Sequence, residues 1–236
     1  MYRSYRSRRR VKVCLAAIAG GLVLTGAMLI VSVLAQGPQP PGTTEPPPVP
    51  DLFGSSSQPA AGPMQILLGR ELDGGVRLGY PHSIRGAVSA ADEFARDIGS
   101  TLDPDTAAAI LRLTADPSYP QGPQQYAQGV VTTRQVLGLP ASGPVPDGAS
   151  AVLQPVEYQL KDLATDQVTV LFLTDLDVTL PGQGTQAKVS LFPLRMHWDG
   201  GDWKILPPQP AGDFASLLTQ PGTSQAAADG WKELSP

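Results

Sequence analysis

Beyond Cys14 the chain has no cysteine, which removes disulfides and thiolate metal sites from everything downstream. Histidine is nearly as scarce. His82 and His197 are the only two, and no second ligand cluster accompanies them, so a zinc site is not expected. No Gly-x-x-x-x-Gly-Lys phosphate loop, no dinucleotide glycine pattern after a strand and no Gly-x-Ser-x-Gly elbow occur. Nucleotide chemistry and serine-hydrolase chemistry therefore lack their usual signatures. No cofactor is expected. Charge is thin and uneven. Arg3, Arg6, Arg8, Arg9, Arg10 and Lys12 crowd the start without an acid among them, which leaves eleven basic residues against 21 acidic ones. An acidic remainder without clustered Lys and Arg argues against direct nucleic-acid binding.

What the start does have is an uncharged run from Val13 to Ala35, 23 residues long. At 1.5 Å per residue a helix of that length reaches roughly 35 Å, enough to cross a bilayer. The basic cluster before it favours the cytoplasmic side and attraction to anionic lipid, with everything after Ala35 outside. The expected localisation is a single-pass cell-membrane protein with an extracellular C-terminal domain. A cleavable signal is the competing reading, since Val33-Leu34-Ala35 offers small residues and Ser7-Arg8-Arg9 is a partial twin-arginine pattern. The length of the run exceeds the usual signal core and favours a permanent anchor. Small residues four apart, Ala16 with Gly20 and Ala17 with Gly21, permit close helix–helix approach.

Five segments follow from this reading: a basic cytoplasmic segment over 1–12, a transmembrane helix over 13–35, a linker over 36–63, an exported α+β domain over 64–206 and a low-complexity tail over 207–236. The linker holds nine prolines from Pro38 to Pro63, which preclude a core and make it an extended spacer. In the domain, Ile84, Ala87, Val88, Ala91, Phe94 and Ile98 recur at helical spacing behind Ser83, a suitable cap. Asp103-Pro104 opens a second helix that lasts to Asp116-Pro117, and a third is expected from Gln124 to Leu137. The period then changes to alternation. Val152, Val156, Tyr158 and Leu160 are expected on one face of a first strand, with Pro155 marking an edge or bulge. Val168–Thr179 and Lys188–Trp198 follow, and Asp199-Gly200-Gly201-Asp202 turns the chain into a return strand over Trp203–Leu206. Helices first and an antiparallel meander second make an α+β domain with a curved sheet around the helices. In the tail, Phe214, Leu217, Leu218 and Trp231 suggest short docking segments, including a short helix.

Three helices followed by a meander that ends in Met196-His197-Trp198-Asp199-Gly200-Gly201-Asp202-Trp203-Lys204 resemble the nuclear-transport-factor-two-like superfamily, the cystatin-like cone. With a basic head and an anchor, the chain is similar to the bitopic assembly factors of conjugation and type IV secretion. The stretch Gly79 to Val88 also resembles the start of the first helix in uncharacterised Gram-positive membrane proteins. The resemblance implies a tethered, non-catalytic scaffold whose partners are the membrane and other envelope proteins or further copies of itself. Two alternatives stand beside it: an exported small-molecule or lipid-binding module of the same fold, and a cone-fold enzyme.

The residues that would carry a pocket are His82, Asp175, Asp177, Trp198 and Trp203. Asp175 and Asp177 alternate with Leu176 and Val178, which places both on the face of Leu171 and Leu173, where they are candidates for the mouth of a cavity. The resemblance implies that a catalyst of this fold would use one carboxylate and a polar partner; a pair of carboxylates alone establishes neither acid–base work nor a calcium site. His82 also suits a turn before the helix. By alternation His197 points away from the face of Trp198, as a solvent-facing strand histidine. Trp198 and Trp203 are expected to pack at the sheet end.

Overall fold

A computed structural model of the chain describes residues 62–209 and 214–235. The basic segment, the apolar run and the linker through residue 61 lie outside the described residues, as do 210–213 and 236. Among the described residues no helix is long and apolar enough to cross a membrane.

Helices form where caps and prolines start them. The first, α1 (Ile84–Gly99), opens on Ser83, whose hydroxyl accepts from the Gly86 amide at 3.0 Å. The second, α2 (Pro104–Thr114), starts with proline at its first position and with Asp103 accepting from the Asp105 amide. The third, α3 (Gly122–Val136), begins two residues ahead of the expected Gln124, because Pro123 fits the first turn. Its Arg134 is fully buried and donates to the Gly143 and Pro144 carbonyls at 3.0 Å each, which fastens the loop that follows the helix.

Among the described residues, three short strands precede the helices: β1 (Met64–Gln65), β2 (Glu71–Asp73) and β3 (Val76–Leu78). After the helices come β4 (Ser150–Lys161), β5 (Gln167–Leu180), β6 (Gly184–Trp198) and β7 (Trp203–Ile205), an antiparallel meander. The result is mixed α+β, with a curled antiparallel half-barrel sheet and three helices. Its inner face, with Leu153, Tyr158, Val170, Phe172, Leu194 and Met196, shares one core with Val88, Ala91, Phe94 and Ile98 of α1. Gly99 allows the last turn of α1 to lie tight on β4, since a Cβ there would meet the Leu153 side chain at 2.5 Å. Ser100 closes the same contact by accepting from the Leu153 amide at 3.0 Å.

One expected face fails. Val152, Val156, Tyr158 and Leu160 do not line up, because the β4–β5 register shifts between Pro155 and Glu157. An extra residue in one strand inverts the alternation beyond it. Leu153 and Tyr158 therefore face the helices, while Val152 is 54% exposed and Val156 packs on the outer side.

The boundary expected at Leu206 also moves. The C-terminal segment contains a 3-10 turn (Ala215–Leu217), a short helix α4 (Ser224–Ala228) and a strand β8 (Lys232–Ser235). The last inserts between β1 and β4, which gives a six-stranded sheet in the order β1-β8-β4-β5-β6-β7. Phe214, Ala226 and Trp231 cover Leu171, Leu173 and Leu191 on the outer face. This explains why β5 is apolar on both faces: each face has its own cover. Few apolar residues mark the segment in sequence, yet those few are its anchors.

Two outcomes follow. Trp231→Ala is expected to cost about 3 kcal/mol in urea unfolding, in the range for a buried aromatic lost to a cavity; an unchanged midpoint would show that the segment does not pack. The second concerns Asp97, whose carboxyl is pushed up to about 6 by burial and then by the Glu93 charge. The native state holds that proton more tightly than the unfolded chain, so this contribution is full below the unfolded value. It is lost as pH rises through about 6. Asp97→Asn should raise stability above that point by about 1 kcal/mol, discounted for partial exposure, and leave it unchanged in acid, as thermal melts across pH would show.

Candidate functional site

The Asp199-to-Asp202 turn carries the strongest polar construction at the sheet end. Asp199 Oδ1 accepts from the Gly201 and Asp202 amides at 2.9 Å each, and Gly200 takes a φ of +94°, which glycine adopts without strain. So shaped, the turn points the Asp202 carboxylate at the lead-in to α1. Its Oδ2 accepts from the Gly79 amide at 2.8 Å; its Oδ1 accepts from the amides of Tyr80 at 3.0 Å and Trp203 at 2.9 Å. The indole Nε1 of Trp203 donates to the Pro81 carbonyl at 2.9 Å. Residues more than a hundred positions apart are thus locked backbone to side chain.

The lock brings His82 against both tryptophans. Its ring stacks on Trp198 at 4.6 Å with 9° between planes and stands 5.7 Å from Trp203. Its Nε2 lies 3.0 Å from Asp166 Oδ1 and 3.1 Å from the Thr165 carbonyl. Three of the five sequence candidates therefore converge. Trp203 is fully buried and Trp198 half-buried, as core packing at the sheet end requires.

His197 leaves β6 on the opposite side from Trp198 and, besides meeting solvent, takes a partner. Its Nδ1 lies 2.7 Å from Asp116 Oδ2, while Asp116 Oδ1 accepts from the Ser118 amide at 2.8 Å and hydroxyl at 2.5 Å. Burial raises the Asp116 carboxyl, but Ser118 and His197 outweigh it and hold the group below its ordinary value. The serine hydroxyl sits on the carboxylate rather than on the imidazole, so no nucleophile is activated in this geometry.

Asp175 and Asp177 do not join the cluster. They stand exposed on β5, in register with Gln154 and Val189 and with Val152 and Ala187. The side shared with Leu171 and Leu173 is the outer face, so the pair opens away from the helices instead of into a chamber beneath them. Among the described residues no group of three or more His, Cys, Asp or Glu is placed to hold a metal ion. A separate concavity of about 340 Å³ lies open at the β4 bulge, between α1, β8 and the C-terminal segment.

Asp116, Asp166 and Asp202 are the partners that sequence reading missed. Asp202 stood in the hairpin motif, where a turn alone explained it. Asp116 marked a helix end, and its pairing with a histidine 81 residues away has no local signal. Asp202→Ala is expected to cost about 3 kcal/mol in denaturant unfolding, since it orphans buried amides; a loss below about 0.5 kcal/mol would show that the lock is incidental.

A family model for a domain of unknown function (DUF8175) matches residues 54–232. No curated protein and no solved structure matches the chain. The matched span runs past Leu206 to the first residue of β8 and covers most of the sequence, so the chain belongs to the DUF8175 family.

Proposed function

We propose that the chain is a membrane-tethered, non-catalytic docking domain, held outside the cell membrane by its apolar N-terminal run and a proline-rich spacer. The domain is a cone of the nuclear-transport-factor-two-like kind, and the role closest to its architecture is that of a scaffold subunit in conjugative transfer or type IV secretion. Its partners are other envelope proteins or further copies of itself. The observation that carries this reading is the close packing of the described side chains between helices and sheet. Phe94, Phe172, Met196 and Trp203 occupy the space between helices and sheet at zero or near-zero exposure. Cone-fold catalysis and apolar-ligand binding both use that space as a chamber. The carboxylates such an enzyme would employ, Asp175 and Asp177, stand on the far side of the sheet. Surface, rather than interior, is what this domain offers a partner.

Crosslinking in intact cells tests the reading. Protease added to protoplasts should digest the domain, and crosslinking should trap either an oligomer of the chain or defined envelope proteins. A mature protein that begins at Gln36, a domain shielded from external protease, or a chain that stays monomeric and alone after crosslinking would contradict it.

A further inference from the structure

We infer that the groove at the β4 bulge takes a lysine or arginine side chain presented by an extended segment of a partner protein. This deepens the docking reading above and rests on it. The bulge turns Glu157 to the outer face, in register with Leu173 beneath the C-terminal segment. In the antiparallel pairing of β4 with β8, Glu157 stands directly opposite Glu233, so both side chains leave the same side of the sheet. Like charges placed so repel. Glu157 is only 6% exposed. Its Oε1 accepts from the Gly222 amide at 2.8 Å, while its Oε2 is buried with no hydrogen-bond partner among the described residues.

The nearest cation does not answer this charge. Arg96 lines the same groove, yet its Nε and Nη2 serve Asp92 at 2.8 and 3.1 Å, and no described ion pair includes Glu157 or Glu233. Both glutamates line the groove without a described cation paired to them. Pro155, Val156, Pro221 and Leu234 make the walls apolar. A long cationic side chain has that division: methylene stem on apolar surface, charged head on carboxylate. Calcium would need six or more oxygen ligands, whereas the groove offers two carboxylates beside an arginine. The chain's own basic cluster, residues 3–12, lies across the membrane in the reading above, so the side chain comes from another protein.

The test uses the full chain in neutral detergent micelles. A capped, fluorescein-labelled Val-Pro-Arg-Val-Pro peptide is compared with one carrying citrulline, the uncharged isostere, by anisotropy at low and high salt. The arginine peptide should bind about tenfold tighter, and added salt should erase the difference. Glu233→Gln should weaken arginine binding about tenfold without changing the melting temperature, because Glu233 is exposed. Glu157→Gln retains an acceptor for Gly222 and should do the same. Equal binding of the two peptides, indifference to Glu233→Gln, or displacement of the peptide by micromolar calcium chloride would overturn the assignment. Should Glu233→Gln cells keep every crosslinked partner, the groove loses its role while the tethered docking domain stands.

Discussion

The fold depends on a carboxylate that accepts from three backbone amides. Asp202 joins the β6–β7 turn to Gly79 and Tyr80, the residues that deliver the chain into α1. A carboxylate suits the task because it carries several lone pairs and makes shorter, stronger bonds than a neutral acceptor. From this point the geometry propagates. Trp203 reaches the Pro81 carbonyl, His82 comes to rest on Trp198, and Ser83 caps the helix that fills the curled sheet. Beside the lock, Ser100 accepts from the Leu153 amide and Lys204 donates to the Leu113 carbonyl, so the helix layer meets the sheet through directional bonds as well as apolar packing.

A second constraint is the bulge in β4. By inverting the alternation it lets one strand serve two layers: Leu153 and Tyr158 meet the helices, while Val156 and Glu157 meet the C-terminal segment. β4 pairs with β8 at Glu157 and Tyr158, just past the irregularity, and the groove lies beside that stretch. Structure and proposed recognition therefore share one cause, an extra residue in a strand.

Local signals were readable in sequence, and long-range ones were not. Ser83 and Asp103 announced their helices, because caps act within three residues. Asp199 to Asp202 announced the hairpin for a similar reason. Pro155 warned of a bulge, but its side-inverting effect on Val152 and Tyr158 needs the register of the neighbouring strand. The C-terminal cover was hidden by composition, although two apolar faces on β5 called for one. His82 with Trp198 and Trp203 came together as a cluster, whereas Asp175 and Asp177 went to the outer face. Alternation sets which side chains share a face but not which face the helices cover.

The reading as a docking domain draws on these two constraints together, a hydrogen-bonded sheet end and a surface groove beside closely packed described side chains. Its structural premise is that the Asp202 lock persists in solution. Amide hydrogen exchange at Gly79 and Tyr80 reports on this directly, because loop amides lacking a partner exchange quickly. Protection matching that of the Phe172 amide in the sheet core is expected. Exchange at the rate of an unpaired surface loop, with the core still protected, would contradict the account.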